Sequence, residues 1–382
     1  MTAPLRVCIL YDCLFPWTIG GAERWYRQVA QAHAAQGHDV TYLTLRQWER
    51  GAEPEIPGVT VIAVGPRMAL YADGKRRILP PLVFGLGVLG HLILRGRRYG
   101  LVHGASFPFF SVLAAALVRP FARYRLAVDW HEVWTRDYWR RYLGPVGGAI
   151  GWWVQRLCAA APQVPFAFSR LHAARAEALG TGPVTVLEGE YAGDAHPGAP
   201  AADPPFVLYA GRMIPEKRVP LLVEALALLM AQDSALSAVL LGRGPDLDAV
   251  REQVTALGLA ERIALPGFVP AEEIERLQVG AAVIVQPSER EGYGMVVVEA
   301  AARGVPVVVI AGEDNAAAEL VDPGENGFIA AGANPADLAS AIGAALAGGP
   351  ALRARTARWY AGNAQRLSFA ASFERLIRTC AR

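Results

Sequence analysis

A chain of 382 residues with 53% hydrophobic and 19% charged side chains has enough apolar residues to bury two cores of ordinary size, which excludes a disordered protein. The net charge is only +2, but residues 1–190 hold 21 Lys/Arg against 13 Asp/Glu and the remainder 16 against 22. A basic first half suits an anionic membrane surface or a phosphorylated acceptor, or is simply a solvated face, and no reader motif for nucleic acid accompanies it.

The first apolar run spans residues 7–11, with too little ahead of it for a signal peptide, so a cytoplasmic protein is expected. Cys8, Cys13, Cys158 and Cys380 follow neither zinc-ligand nor disulfide-framework spacing, which fits free thiols in a reducing compartment. Further runs at 40–44, 59–64, 101–103, 126–129, 164–168 and 184–187, separated by helix-length segments such as 22–36, predict an α/β domain with a doubly wound parallel sheet. Residues 78–94 carry no formal charge and are flanked by Lys75, Arg76 and Arg77 and by Arg95, Arg97 and Arg98. Pro80, Pro81, several glycines and His91 interrupt this stretch of 17 residues, so a core or membrane-interface helix is expected rather than a membrane span.

Residues 191–205 lack periodicity and are rich in Gly and Pro, which marks a linker and ends the first domain near residue 195. A second series at 206–210, 238–241, 263–265, 281–286, 305–310 and 327–330 predicts a second α/β domain over 203–359. Pro220 and Pro270 fall where a first helical turn tolerates proline. In open parallel sheets ligands bind beyond the carboxyl ends of the strands, so the residues that follow each run are the candidates.

After 281–286 comes Glu291-Gly292-Tyr293-Gly294-Met295, leading into a helix that carries Glu299. Gly292 and Gly294 allow a sharp turn and leave amides uncovered at a helix start, where an anion such as a diphosphate is favoured. A carboxylate at Glu299 suits vicinal hydroxyls and one at Glu291 a sugar ring, although a surface Glu299 beside an ordinary turn reads equally simply. After 206–210, Arg212 and Lys217 put two cations in one loop, able to neutralise a departing diphosphate or merely solvated. Gly242-Arg243-Gly244 is a turn for close ligand approach but lacks the third glycine of a dinucleotide fingerprint. Asp246 and Asp248 mimic a metal-binding pair, and their place at a helix start predicts capping. In the first half, Gly20 and Gly21 open a helix whose amides suit a phosphate. His131 stands just past a strand end, and His103, Ser106 and the aromatic, basic run containing Arg136 are candidates for an acceptor pocket or for core packing.

The loop Gly211-Arg212 to Glu216-Lys217, the turn 241–245, Gly267-Phe268-Val269, the Glu291 to Glu299 spacing, Glu319, Asn326-Gly327 and Gly20-Gly21-Ala22-Glu23 together resemble the retaining family-four glycosyltransferases of the GT-B fold. The resemblance covers nearly the whole chain and implies two Rossmann-like domains facing a central cleft, with a terminal helix of about 360–382 returning to the first. It implies that Arg212 and Lys217 hold a donor diphosphate and Glu299 the ribose hydroxyls. Glu291, with the amides from Gly292 through Tyr293 and Gly294 to Met295, would hold the sugar, Phe268, Val269 and Arg243 would flank the base, and His131 would lie near the reacting carbon. Arg218 departs from the pattern, standing where many relatives have glycine. The expected partners are a nucleotide-sugar donor and a sugar, lipid-linked or small-molecule acceptor, with a possible peripheral contact on the inner face of a membrane, and no metal or other cofactor. An epimerase or phosphorylase on the same fold, or a non-catalytic subunit binding nucleotide-sugar or membrane, are the rival readings.

Overall fold

The computed structural model describes residues 4–49, 51–72, 75–195 and 200–381, so residues 196–199 of the expected linker lie outside it. The chain divides into two units, one of Met1–Glu188 with Ser372–Arg382 and one of Gly189–Ala371.

The first unit runs β1 (Arg6–Leu10), α1 (Gly21–Ala35), β2 (Asp39–Leu45), β3 (Val59–Gly65), β4 (Tyr71–Ala72), β5 (Lys75–Arg76), α2 (Leu79–Arg95), β6 (Leu101–Ala105), α3 (Phe110–Ala122), β7 (Arg125–Trp130), α4 (Arg136–Ala160), β8 (Val164–Ala167), α5 (Arg170–Leu179) and β9 (Thr185–Val186). Seven strands make one sheet in the order β3-β2-β1-β6-β7-β8-β9, parallel throughout. The runs read as continuous rather than alternating because both faces are covered: Val7, Cys8 and Ile9 in central β1 have no exposed surface. The strand order reverses between β3 and β6, and right-handed crossovers then put α2, α3 and α4 on the face opposite α1. Glycines set their packing. A Cβ on Gly87 would stand 2.0 Å from the Val64 carbonyl oxygen, and one on Gly85 would stand 2.5 Å from Phe110 Cβ.

The second unit runs β10 (Phe206–Ala210), α6 (Val219–Met230), β11 (Ser237–Leu241), α7 (Leu247–Ala256), β12 (Ile263–Gly267), α8 (Ala271–Gly280), β13 (Val283–Gln286), β14 (Arg290–Glu291), α9 (Met295–Ala302), β15 (Val307–Ile310), β16 (Asp314–Asn315), β17 (Gly327–Ala330) and α10 (Pro335–Leu367), which α11 (Phe369–Ala381) follows. Its main sheet has the order β12-β11-β10-β13-β15-β17, again parallel, and β14 with β16 forms a separate two-residue ladder. Val207, Leu226, Val283, Val308 and Ile342 belong to one buried core beneath α6 and α10.

The boundaries differ from those expected: the first unit ends at Glu188 instead of 195, and its return begins at Ser372 instead of about 360. The cause is local pairing at Tyr191, whose N–H donates to Leu367 O (3.3 Å) and whose carbonyl accepts from Phe369 N–H (2.8 Å). The Tyr191 ring also meets the Tyr360 ring edge-on at 6.1 Å, which holds these residues to the second unit. Helix α10 kinks at Gly349 (φ 47°), just before Pro350.

Candidate active site

The β14–β16 ladder places the central carboxylate of the second unit. Asn315 braces it from below, donating to the carbonyls of Ser288 (3.1 Å) and Ile310 (2.9 Å) and accepting from Ala317 N–H (3.1 Å). Glu291 then pairs with Lys217 in an ion pair largely out of solvent, the side chains being 16% and 13% exposed. Gln286 Nε2 and Ser288 Oγ each donate to the same carboxylate oxygen at 2.8 Å. Burial alone would raise the Glu291 pKa, but the Lys217 charge and these three hydrogen bonds outweigh it and hold the carboxyl below the usual glutamate range. The far end of the same amide, Gln286 Oε1, is enclosed with no hydrogen-bond partner among the described residues.

Lys217 and Glu291, assigned by sequence to different parts of a donor, are therefore partners of each other. Gln286, Ser288 and Asn315 were not among the candidates. A polar residue closing an apolar run at the carboxyl end of a strand was the available signal for Gln286.

Arg212 is exposed, and its loop lies against backbone. A Cβ on Gly242 (φ 143°) would stand 1.8 Å from Gly211 O, and one on Gly244 (φ 159°) would stand 2.1 Å from Met213 O. Hydrogen bonds lace the loops after β10, β11 and β12 together: Gly211 N to Leu241 O (3.1 Å), Met213 N to Arg243 O (2.9 Å) and Gly242 N to Gly267 O (3.0 Å). Arg218 adopts the left-handed region (φ 50°), the conformation in which glycine is unstrained, and its guanidinium pairs with Glu289 at 3.3 Å. Arg243 and Phe268 form an open platform, with the guanidinium 5.9 Å from the ring centroid and the ring 63% exposed, beside half-buried Val269.

Gly294 precedes α9 at φ 105°, and a Cβ there would stand 2.5 Å from Ala317 Cβ, so both backbone and space require glycine. The amides of Met295 and Val296 that follow have no intrahelical acceptor and face an end of the helix that favours anions. Half-buried Gly292 leads into Tyr293, which is 7% exposed. Glu299 lies one turn into α9, half-buried, and its charge acts on Arg303 and Tyr191. Asp246 stands at the N-cap of α7 without a side-chain capping bond, and Asp248 pairs with Arg251 at 2.9 Å, so the expected capping by these aspartates is corrected.

In the first unit Gly20 and Gly21 open α1, and Glu23 folds back so that its Oε2 lies 2.3 Å from where a Gly20 Cβ would point. The helix start assigned to a phosphate is thus shared with the chain's own carboxylate. His103 does not line a pocket: β6 continues to Ala105, the ring has no exposed surface, and its Nε2 lies 2.9 Å from Asp129 Oδ2. Ser106, 1% exposed, is likewise enclosed and donates its N–H to Asp129 O at 2.8 Å. Arg136, by contrast, is exposed in the first turn of α4, which Thr135 caps. Sequence reading also passed over Asp12, fully buried in an ion pair with Arg76, whose guanidinium lies 5.1 Å from the Phe107 ring.

His131 follows β7 and stacks on Phe168, ring centroids 4.4 Å apart at 6°, with its Nε2 buried and unpartnered among the described residues. Burial lowers its pKa from 6.5 to about 4 despite the opposing charges of Asp129 and Glu132. The ring is therefore neutral near pH 7. Stability is expected to fall as pH drops from 6.5 toward about 4, because in that window the unfolded chain takes up a proton that the folded one refuses. The contribution is at most ~3 kcal/mol. Denaturant titrations of His131→Phe should show a shallower acid slope than the parent, and identical slopes would mean that the folded ring accepts the proton.

Two parallel-sheet, Rossmann-like units are the architecture of GT-B proteins, and solved structures agree. HepE of Anabaena, solved with UDP and glucose, matches over 99% of both chains with a TM-score of 0.73 at 19% identity. Sucrose-phosphate synthase of Thermosynechococcus elongatus matches over 98% of both with a TM-score of 0.76 at 19% identity. Two family descriptions match in sequence, "Glycosyl transferase 4-like domain" over residues 20–188 and "Glycosyl transferases group 1" over residues 195–360, so each of the two units carries a glycosyl transferase domain, the second of them of group 1. The GDP-mannose-dependent alpha-(1-6)-phosphatidylinositol monomannoside mannosyltransferase of Mycolicibacterium smegmatis is 32% identical over 152 residues, 38% of this chain and 39% of that protein. The D-inositol 3-phosphate glycosyltransferase of Geodermatophilus obscurus is 38% identical over 159 residues, 38% of this chain and 34% of that protein. These matches span less than two fifths of each curated relative's length.

Proposed function

We propose that the protein transfers a hexose-type sugar from a nucleotide-diphosphate sugar to a hydroxyl acceptor, with retention at the anomeric carbon and without a metal ion. The observation that carries this reading is the Lys217–Glu291 pair, tied to Gln286 and Ser288 at the carboxyl end of central β13. The bond that breaks joins the anomeric carbon to a diphosphate oxygen, which leaves with the electron pair. Arg212, Lys217 and the first-turn amides of α9 meet the charge that grows there, so two side-chain cations serve where a metal ion otherwise would. The acceptor oxygen forms its bond on the face that the diphosphate leaves, and its proton passes to the departing phosphate oxygen.

Glu291, kept ionised, accepts hydrogen bonds from sugar hydroxyls, while Glu299 receives the ribose and the Arg243–Phe268 platform the base. The names of the relatives support a nucleotide-sugar donor, since one is called GDP-mannose-dependent and HepE was solved with UDP and glucose. The acceptor is a sugar, a lipid-linked sugar or a small molecule. The test is incubation with UDP- and GDP-hexoses and an acceptor panel in the presence of EDTA, followed by proton NMR of the product. The expected product keeps the donor's anomeric configuration as free nucleoside diphosphate accumulates. An inverted product, or turnover only with added divalent ion, overturns the mechanism, and an epimerised donor or a sugar phosphate overturns the reaction class.

A further inference from the structure

A surface helix normally turns polar side chains outward. In the first unit α2, α3 and α4 do not. Along α2, Leu82, Leu86, Ile93 and Leu94 are 37%, 68%, 65% and 83% exposed, while Phe84, Val88 and Leu92 fill the inner face. Helix α3 adds Leu117 and Phe121, 63% and 73% exposed and one turn apart. In α4, Val146, Ile150, Trp153 and Leu157 are 75%, 60%, 61% and 59% exposed, at the spacing of a single helical stripe.

The three helices form one layer. Gly85 of α2 abuts Phe110 of α3, a Cβ on Gly96 just after α2 would stand 3.1 Å from Ala122 Cβ of α3, and Cys158 Sγ of α4 donates to the carbonyl of Phe109 at 3.4 Å. Soluble surfaces rarely leave so many neighbouring apolar side chains in water.

Charge identifies the occupant. Residues 75–128 hold nine Lys/Arg and neither Asp nor Glu. Arg95, Arg97 and Arg98 are exposed at the end of α2, Arg123 is exposed after α3, and the Arg156 guanidinium lies 5.5 Å from the Trp153 ring centroid on α4. A second copy of this chain would set these cations against one another, whereas anionic headgroups neutralise them while the apolar side chains enter the lipid. Residues Leu79–Arg98 are long and apolar enough to cross a bilayer, an 18-residue window within them having a mean hydropathy of 1.4. Contacts of Gly85 and Gly87 with Phe110 and Val64, however, fasten the inner face of α2 to the protein.

We propose that the outer faces of α2, α3 and α4 seat the protein flat on a bilayer rich in anionic lipid, with the apolar stripes in the boundary between headgroups and acyl chains and the arginines at lipid phosphates.

Co-sedimentation of the full chain with vesicles tests this, using phosphatidylcholine alone and phosphatidylcholine mixed with phosphatidylglycerol. Binding to the mixed vesicles is expected to be at least ~10-fold tighter and to weaken as salt rises. The triple variant L86Q/F121Q/W153Q should lose ~10-fold or more of that binding while keeping the parent's melting temperature, since all three side chains already face water. R95Q/R97Q/R98Q should remove the preference for anionic vesicles. A parent that ignores mixed vesicles, or a triple variant that binds them equally, overturns the proposal. So does a parent that self-associates in sedimentation and becomes monomeric only in the triple variant, with no vesicle binding by either. No substrate enters the assay, so its failure leaves the transfer reading untouched.

Discussion

Replacing Lys217 with alanine is expected to reduce turnover of a nucleotide-sugar by at least 100- to 1000-fold, on the order seen when a charge-stabilising donor is removed from an active site. It should also cost ~3 kcal/mol of stability, because the Glu291 carboxylate would remain in a largely buried site with only Gln286 and Ser288 as donors. The sign of the pH dependence separates this from a general loss of packing. In the parent, Glu291 has a depressed pKa, so its contribution is present above the unfolded value of about 4.3 and is lost as pH falls through the lower folded value. Without Lys217, only the Gln286 and Ser288 hydrogen bonds oppose burial, and the carboxyl binds its proton at higher pH. The stability gap between parent and variant should therefore be widest near neutrality and close in acid. Lys217→Arg keeps a cation beside the carboxylate and should recover most of the stability, but its planar fork cannot place a point charge where the ammonium sits, so turnover should recover only in part. Parent-like turnover in Lys217→Ala would remove this pair from the reaction.

The site was legible as loops but not as contacts. The apolar run at 206–210 coincides with β10 because strands buried on both faces are continuous in hydrophobicity, and the run at 281–286 overran β13 by two residues for the same reason: Ala281 is also buried. Nothing local, however, says that β10 neighbours β13, and it is that strand order that brings Lys217 to Glu291 across 74 positions. The β14–β16 ladder is two residues long on each side, too short for any periodicity to register, yet it aims the carboxylate. His103 was misplaced because Gly104 and Ala105 extend β6, moving the ring from an expected loop into the sheet interior. Arg218 is the opposite case, a departure from the family pattern visible in sequence that the backbone explains, since the residue stands at a positive φ. The Glu23 carboxylate folded over Gly20 depends on a rotamer, which composition and spacing do not report.

The largest loss of stability is expected from Asp129→Ala, ~3–5 kcal/mol, because one fully buried carboxylate oxygen is shared by three groups. Trp25 Nε1 and Tyr26 Oη donate to it at 2.8 Å each, and His103 Nε2 stands 2.9 Å away. Each polar group stranded by the substitution costs ~1–3 kcal/mol, and Asp129→Asn, which keeps an acceptor, should cost about half as much as alanine. Burial alone would raise the Asp129 pKa, but the His103 charge and the hydrogen bonds outweigh it, so the carboxyl titrates below the usual aspartate range. Its contribution is present above the unfolded value of about 3.9 and is lost as pH falls through the lower folded value, so the deficit of the alanine variant should shrink in strong acid. Urea unfolding followed by tryptophan fluorescence reads this directly, and an alanine variant as stable as the parent near neutrality would show that the network holds nothing. The effect should also reach His131 without touching it. Trp25, fixed by Asp129, meets Phe168 edge-on at 4.9 Å, and Phe168 is the ring on which His131 stacks. At temperatures where Asp129→Asn is still folded, a broadened or shifted His131 ring resonance together with reduced turnover would mark Asp129 as the residue that positions the histidine, whereas an unchanged resonance would confine its role to the core.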